Sequence, residues 1–116
     1  MIEYNKYIYP KRWDLVAEKD SKLKSEEMDL FFKAILELEN IDECYDFFED
    51  VETINEINAL AQRLHVAKLL NEKNTYIAIA EETGASTATI SRVNKCLNHG
   101  SGGYTNVLEK LKKTSK

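Results

Sequence analysis

The feature that most constrains the fold is a long stretch of chain without Gly or Pro. The only proline is Pro10 and the first glycine is Gly84, so residues 11–83 lack the two residues that most often interrupt regular structure. Hydrophobic residues make up 43% of the 116 residues and charged residues 31%, which is typical of a globular protein. We therefore predict a single-domain, all-α protein of about six helices.

Cysteine usage and the N-terminal sequence indicate the compartment. Cys44 and Cys96 form no CxxC pattern and have no His at ligand spacing, so we expect no structural zinc site. A secreted domain that depends on disulfides usually has more than two cysteines, so these two are expected to be reduced thiols in a cytoplasmic protein. No run of residues approaches the ~20 apolar residues of a membrane span, and no targeting segment is recognisable. We expect a soluble cytoplasmic protein with no membrane partner.

The net charge of −4 hides a division of charge along the chain. Residues 1–62 carry 7 Lys and Arg against 16 Asp and Glu, whereas residues 63–116 carry 9 against 4. From Thr83 onward there are six Lys and Arg and one acid, Glu109. An acidic front half and a basic back half indicate different roles, and the basic half can face an anion.

The ends of the chain lack a regular apolar period. Residues 1–24 are predicted to form an N-terminal arm, and four aromatic residues lie on either side of Pro10 in its sequence: Tyr4, Tyr7, Tyr9 and Trp13. These rings suit either nucleobase stacking or packing against the body of the protein or a partner subunit, and the acidic neighbours favour packing. Residues 114–116 are expected to be a disordered tail. The predicted helical domain covers residues 25–113.

Three helices are predicted in the front of this domain. Ser25 begins the first, whose apolar positions are Met28, Phe31, Phe32, Ile35 and Leu38. The second has apolar Ile41, Cys44, Tyr45 and Phe48, with Asp42, Glu43, Asp46 and Glu49 on its polar side. Those acids are interpreted as a solvated face rather than an acid/base pair, which requires a convergent pair in a cleft. Thr53 and Glu56 form the capping box of the third, whose apolar stripe is Ile57, Leu60, Leu64 and Ala67, widened by Ala61 and Leu70.

The most informative segment is residues 75–97, in which the capping and turn residues are spaced as in a helix-turn-helix. Thr75 can cap a short helix that ends at Gly84, and Ser86 can cap the helix that follows. Ile79 on the first helix, with Ile90 and Val93 on the second, is predicted to fill the angle between them. Ala80 is small where the helices approach, and Gly84 can adopt the positive φ of the turn. DNA binding is favoured over a purely structural helix pair.

The second helix of the pair presents a surface suited to DNA. The predicted DNA-binding residues are Ser86, Thr87, Ala88, Thr89, Ser91, Arg92 and Lys95. Small side chains at the helix start allow deep entry into a major groove, and hydroxyl groups can bond to base edges or phosphates. The basic residues add positive charge, and free amides at the helix N-terminus can bind a phosphate. The alternative is a capped surface helix with no ligand.

The C-terminal segment is simpler. Residues 98–103 contain three glycines but match no phosphate-binding motif, so they are interpreted as a linker. Residues 104–113 place Val107, Leu108 and Leu111 on one side and lysines on the other, which predicts a short basic helix.

Two blocks of sequence resemble a known family. With six predicted helices in this order, the segment from Gly84 to Arg92 (GASTATISR) and the segment from Leu60 to Leu70 (LAQRLHVAKLL) are similar to the Trp-repressor-like family, and to its YerC/YecD branch. The resemblance covers roughly residues 25–113. It implies an intertwined homodimer whose two helix-turn-helix units bind successive major grooves of double-stranded DNA. It also implies that Thr87 and Ala88 approach bases, and Thr89 and Ser91 phosphates.

The chain departs from this family at the corepressor pocket. The two arginines that flank the tryptophan ligand in the family match Arg63 and Arg92. Val93, however, stands where the family has Gly, and Cys96 where it has Ser. A valine side chain occupies space that the indole needs, so tryptophan is not expected as corepressor and no cofactor is predicted. Arg63 and Arg92 then serve an unidentified small-molecule effector, phosphate contact or pairing between subunits. Tyr76 and Ile77 replace DNA-gripping polar residues of the family.

These features are compatible with two classes of function and exclude a third. The first is a homodimeric, sequence-specific transcriptional regulator, a repressor by resemblance. The second is a helical protein-interaction module in which the helix-turn-helix is only structural. An enzyme is not expected, because no nucleophile with a base at usable spacing, metal-ligand set or phosphate loop is recognisable.

Overall fold

The computed structural model describes residues 20–114, and every described element is helical or a connecting turn. The six helices are α1 (Glu26–Leu36), α2 (Ile41–Val51), α3 (Ile54–Asn71), α4 (Tyr76–Thr83), α5 (Thr87–His99) and α6 (Gly103–Thr114). The all-α prediction with six helices is confirmed. The chain divides into two compact units, one up to Phe48 and one from Glu49 onward. The single domain predicted over residues 25–113 and the aromatic arm stay predictions; most of the arm lies outside the described residues.

In the first unit, α1 begins where the sequence predicts. The Ser25 hydroxyl accepts a hydrogen bond from the Met28 N–H at 3.0 Å, which satisfies one of the free amides of the first turn. The helix ends at Leu36, so Leu38, predicted as part of its apolar stripe, lies beyond it. The N–H groups of Glu37 and Leu38 instead bond back to Ala34 and Ile35, which tightens the end of the helix.

An aromatic cluster joins α1 to α2 within this unit. The Phe31 ring lies 6.1 Å from the Phe47 ring and 6.5 Å from the Phe48 ring, and Phe47 and Phe48 meet edge to face at 5.3 Å. Such ring pairs add to the stability gained from apolar burial. Even so, α1 and α2 contain no fully buried residue.

The second unit contains the hydrophobic core of the described residues. Helix α3 packs against α4, α5 and α6, and its N-terminus carries the predicted capping box: the Thr53 hydroxyl accepts from the Glu56 N–H while the Glu56 carboxylate accepts from the Thr53 N–H. The buried core residues are Val66, Ala67, Leu69, Ile79, Ala85, Ile90, Val93 and Leu108.

The predicted apolar stripe of α3 is wrong in part. Ala67 is buried, and Leu64 and Leu70 are half-buried against the core, but Leu60 is exposed. Val66 and Leu69, which were not in the predicted stripe, are buried instead. The helix has apolar residues on more than one side, so periodicity alone does not identify the side that meets α4, α5 and α6.

The C-terminal prediction also needs correction. Thr114, expected in a disordered tail, is the last residue of α6, and its hydroxyl donates to the Lys110 carbonyl at 3.2 Å. Residues 115 and 116 lie outside the described residues. On α6 Leu108 is buried, as its apolar side predicts, whereas Val107 and Leu111 are exposed.

Candidate nucleic-acid interface

The segment predicted as a helix-turn-helix adopts that conformation. The Thr75 hydroxyl caps α4 by accepting from the Ala78 N–H at 3.1 Å. Gly84 ends α4 in the left-handed region with φ 75°, and its N–H donates to the Ala80 carbonyl at 2.9 Å. Three residues, 84–86, then separate α4 from α5. A left-handed glycine directly after the last helical turn is the usual way to reverse the chain here.

The angle between α4 and α5 is filled by the predicted residues. Ile79 and Ile90 are fully buried and Val93 is buried beside them, so these predictions are confirmed. The hydroxyl of Thr83 donates to the Ile79 carbonyl at 2.7 Å and accepts from the Ala85 N–H at 3.1 Å. Because the turn is bonded on both sides and its apolar groups are buried, α5 has a defined direction relative to α4.

Helix α3 fixes the pair from a third direction. The Gln62 amide donates to the Thr83 carbonyl at 3.2 Å, which occupies one of the free carbonyl groups at the end of α4. His65 Nε2 lies 3.2 Å from the Glu82 carboxylate. His65 is exposed, and this contact gives it a partner on α4. The sequence does not predict either of these two contacts of α3, with Thr83 or with Glu82, because residues on different helices are not related by a regular spacing along the chain.

The outward face of α5 carries the predicted DNA-binding residues. Six are exposed and Thr89 is half-buried. Within residues 20–114 the side chains of Thr87, Ser91, Arg92 and Lys95 form no hydrogen bond or ion pair. Ser86 and Thr89 are partly engaged: the Ser86 hydroxyl accepts from the Thr89 N–H and donates to the Thr89 hydroxyl, both at 3.1 Å. We call the exposed side chains of Thr87, Ala88, Ser91, Arg92 and Lys95 the α5 face.

The charged side chains of α5 itself are all positive. No Asp or Glu occurs between Glu82 and Glu109, so α5 contributes only cations. Helix α4 differs, because its exposed residues include Tyr76, Ile77 and Glu81, and it has no Lys or Arg. The electrostatic attraction for an anion is therefore concentrated on α5.

The two arginines predicted for an effector or a phosphate are placed differently. Arg63 lies on α3, is half-buried, and donates from Nε to the Ala59 carbonyl of its own helix at 3.3 Å. Arg92 is exposed on α5. Val93, which replaces the glycine of the resembled family, directs its side chain into the core, whereas Cys96 is an exposed thiol.

Residues 20–114 contain neither a metal-binding cluster nor a membrane-spanning helix. This part of the chain holds no group of three or more His, Cys, Asp or Glu side chains arranged to bind a metal ion. Its helices include none with the length and apolar character that crossing a membrane requires.

The described part of the chain has six helices, of which the fourth and fifth form a helix-turn-helix. This is the helical fold of a class of DNA-binding regulators. Residues 26–112 match the family model described as Trp repressor protein, and the chain belongs to this family. Over 93 residues it is 56% identical to the uncharacterized protein YerC of Bacillus subtilis (strain 168), covering 80% of this chain and 89% of that protein.

Two solved structures have the same fold. A TrpR-like protein from Eubacterium eligens ATCC 27750 is 59% identical, with a TM-score of 0.77 over 82% of this chain and 98% of that one. A crystal structure described as a putative Trp repressor from Staphylococcus aureus is 48% identical, with a TM-score of 0.76 over 82% of this chain and 95% of that one. The predicted resemblance, including its YerC branch, is confirmed.

Proposed function

We propose that the protein is a sequence-specific DNA-binding transcriptional regulator, a repressor, that acts as a homodimer through its helix-turn-helix. The observation that carries the proposal is the α5 face: two cations that form no ion pair within residues 20–114 follow three small side chains on the exposed side of a helix. The opposite side of the same helix is anchored in the core by Ile90 and Val93. Membership of the Trp repressor family supports the same role.

The first turn of α5 suits entry into a major groove. Thr87 and Ala88 place no long side chain between the helix backbone and the base edges, so the helix can approach closely. Their methyl groups can contact a thymine methyl, and the hydroxyls of Thr87 and Ser91 can bond to base edges or phosphate oxygens. These residues would supply the sequence discrimination.

The same end of the helix suits a phosphate group. The Ser86 hydroxyl already accepts from the Thr89 N–H, whereas the N–H groups of Thr87 and Ala88 have no acceptor among the described residues. Free amides at a helix N-terminus attract anions, and the helix dipole adds to the effect. Arg92 and Lys95 would contact further phosphates along the groove.

Exposed apolar side chains support a homodimer. Ile41 on α2 is 73% exposed and Ile54 at the start of α3 is 74% exposed, and Leu30 and Tyr45 are also exposed. Large apolar side chains left in solvent can be buried where a protein interface covers them. A dimer would present two α5 helices to half-sites about one helical turn apart, ~34 Å.

Sedimentation equilibrium of the full chain tests the dimer and should give the mass of two chains. A monomer mass at micromolar concentration would contradict this part of the proposal.

A second function is favoured by the surface of α2. Exposed Ile41 and Tyr45 lie among Asp42 and Asp46, a combination that suits a protein partner rather than DNA. In this alternative the helix-turn-helix is only structural.

Selection of bound duplexes from a random pool by the purified full-length protein separates the two functions. The DNA-binding proposal predicts an enriched palindromic sequence with half-sites one turn apart. Recovery of the input pool without enrichment would refute it and favour the interaction module.

A further inference from the structure

A polar cleft lies in the second unit on residues that the proposed DNA contact does not use. It has a volume of about 440 Å³, within the range of small-molecule sites. The end of α3 and the loop after it form one wall, the second half of α5 forms another, and the start of α6 contributes the rest. The lining residues are Leu70, Asn71, Lys73, Asn74, Asn94, Leu97, Asn98 and Thr105.

The lining is unusually rich in side-chain amides. Four of the eight lining residues are asparagines, and each amide can both donate and accept hydrogen bonds. Two are held in place by the protein: the Asn74 Nδ2 group donates to the Leu69 carbonyl at 3.0 Å, and the Asn98 Nδ2 group donates to the carbonyl and side-chain oxygens of Asn94 at 3.0 and 3.2 Å. These bonds leave the Asn74 and Asn98 Oδ1 atoms available as acceptors.

Lys73 supplies the charge of the cleft. It is the only described residue other than glycine with a positive φ, at 69°. Its N–H donates to the Leu70 carbonyl and the Asn74 N–H to the Leu69 carbonyl, the pattern in which a glycine usually ends a helix. A lysine is unfavourable at such a backbone position. Residues held in strained backbone conformations cluster at functional sites, which points to a function for the Lys73 side chain.

No acid of the described chain neutralises this lysine. The adjacent carboxylate of Glu72 pairs with Lys68 at 2.9 Å, and Lys73 forms no ion pair within residues 20–114. The lining contains no Asp or Glu. The cleft therefore combines one unpaired cation with hydrogen-bonding groups of both kinds over half-buried Leu70 and Leu97.

We propose that this cleft binds a small hydroxylated anion, a sugar phosphate or sugar acid, whose charge pairs with Lys73 and whose hydroxyl groups bond to the asparagines. The site is separate from the α5 face. An occupant would brace α5 through Asn94 and Asn98 and so alter DNA affinity; that consequence rests on the proposed function, whereas binding itself does not.

The test is to titrate the full-length protein, without DNA, with small sugars and anions. Binding is measured by isothermal titration calorimetry and by NMR of the asparagine side-chain amides. Glucose 6-phosphate and gluconate represent the two sources of charge, glucose lacks the charge, and sulfate lacks the hydroxyl groups. We expect saturable binding of at least one hydroxylated anion, with amide shifts confined to the cleft, and at least tenfold weaker binding of glucose and of sulfate.

The informative variant is Lys73→Gly, because glycine suits φ 69° and the variant is expected to fold. It should weaken binding at least tenfold, while Lys68→Gly, the matched control on α3, should not weaken it beyond any loss of folded protein seen by circular dichroism. Three results would overturn the proposal: no saturation by either hydroxylated anion up to about 10 mM, sulfate binding as tightly as either, or unchanged affinity in Lys73→Gly.

Discussion

Replacing Arg92 by Ala tests whether the α5 face neutralises DNA phosphates. The side chain is exposed, forms no ion pair within residues 20–114, and follows the capped first turn of α5. The substitution removes a charge without removing a core contact, because the neighbouring Val93 carries the packing. We therefore expect unchanged folding and weaker, less salt-dependent DNA binding.

The magnitude follows from counterion release. Arg92 and Lys95 on each of two α5 helices would give about four phosphate contacts per dimer, and each contributes about 0.9 to the slope of log affinity against log salt concentration. The wild-type slope is then about −3.6, which corresponds to a loss of roughly 150-fold in affinity between about 50 and 200 mM salt. Arg92→Ala removes two contacts per dimer, so its slope should be about −1.8 and its loss roughly 12-fold.

Fluorescence anisotropy with a selected duplex, repeated at several salt concentrations, measures both slopes. Lys68→Ala is the matched control, because Lys68 is an exposed cation on α3 that is paired with Glu72, and its loss changes the net charge equally. An Arg92→Ala slope equal to that of the wild type would refute the reasoning. An equal reduction in Lys68→Ala would show that net charge, rather than the α5 face, determines the salt dependence.

The other predictions concern the stability of the elements that hold α5. The hydrogen bonds from the Thr53 N–H and hydroxyl lower the pKa of Glu56 below its ordinary 4.5; its stabilising effect is therefore complete above that pH and is lost as pH falls through the lowered value. The melting temperature of Glu56→Gln should lie below that of the wild type near pH 6, and the gap should narrow as the pH is lowered below 4.5; a gap independent of pH would contradict this assignment. Ile90 is fully buried, so Ile90→Ala should lower the free energy of unfolding by about 2–5 kcal/mol and Ile90→Val by only about 0.5–1.5 kcal/mol in urea titrations; equal losses would show that the site is not close-packed. At Gly84, φ is 75° and an added Cβ would meet nothing within 4 Å, so Gly84→Ala should cost only the backbone term, about 1–2 kcal/mol, and a neutral result would argue against the left-handed turn.

The helix boundaries were predictable where they depend on neighbouring residues. Ser25, Thr53, Thr75 and Ser86 each accept a hydrogen bond from an N–H three residues later, so the signal and the structure lie within one helical turn. The left-handed Gly84 belongs to the same kind of local information. The exposure of the α5 face could be predicted in the same way, because Ile90 and Val93 are buried apolar residues of α5 and the side of the helix opposite to them faces solvent.

Features that depend on contacts between helices could not be predicted in this way. Val66 and Leu69 were missed because several sides of α3 are apolar, and only the packing of α4, α5 and α6 selects among them. The pairing of His65 with Glu82 joins residues 17 positions apart. Lys73 gave no signal at all, because a helix end of this type is recognised by glycine or asparagine.

The central claim is that the α5 face contacts DNA, and its most direct test is amide NMR of the full-length protein titrated with a duplex obtained by selection. The account predicts that the largest shifts fall on Thr87, Ala88 and Ser91, with smaller shifts on a scrambled duplex of the same length. Shifts that cluster on the acidic surface of α2, or that are the same for both duplexes, would contradict it.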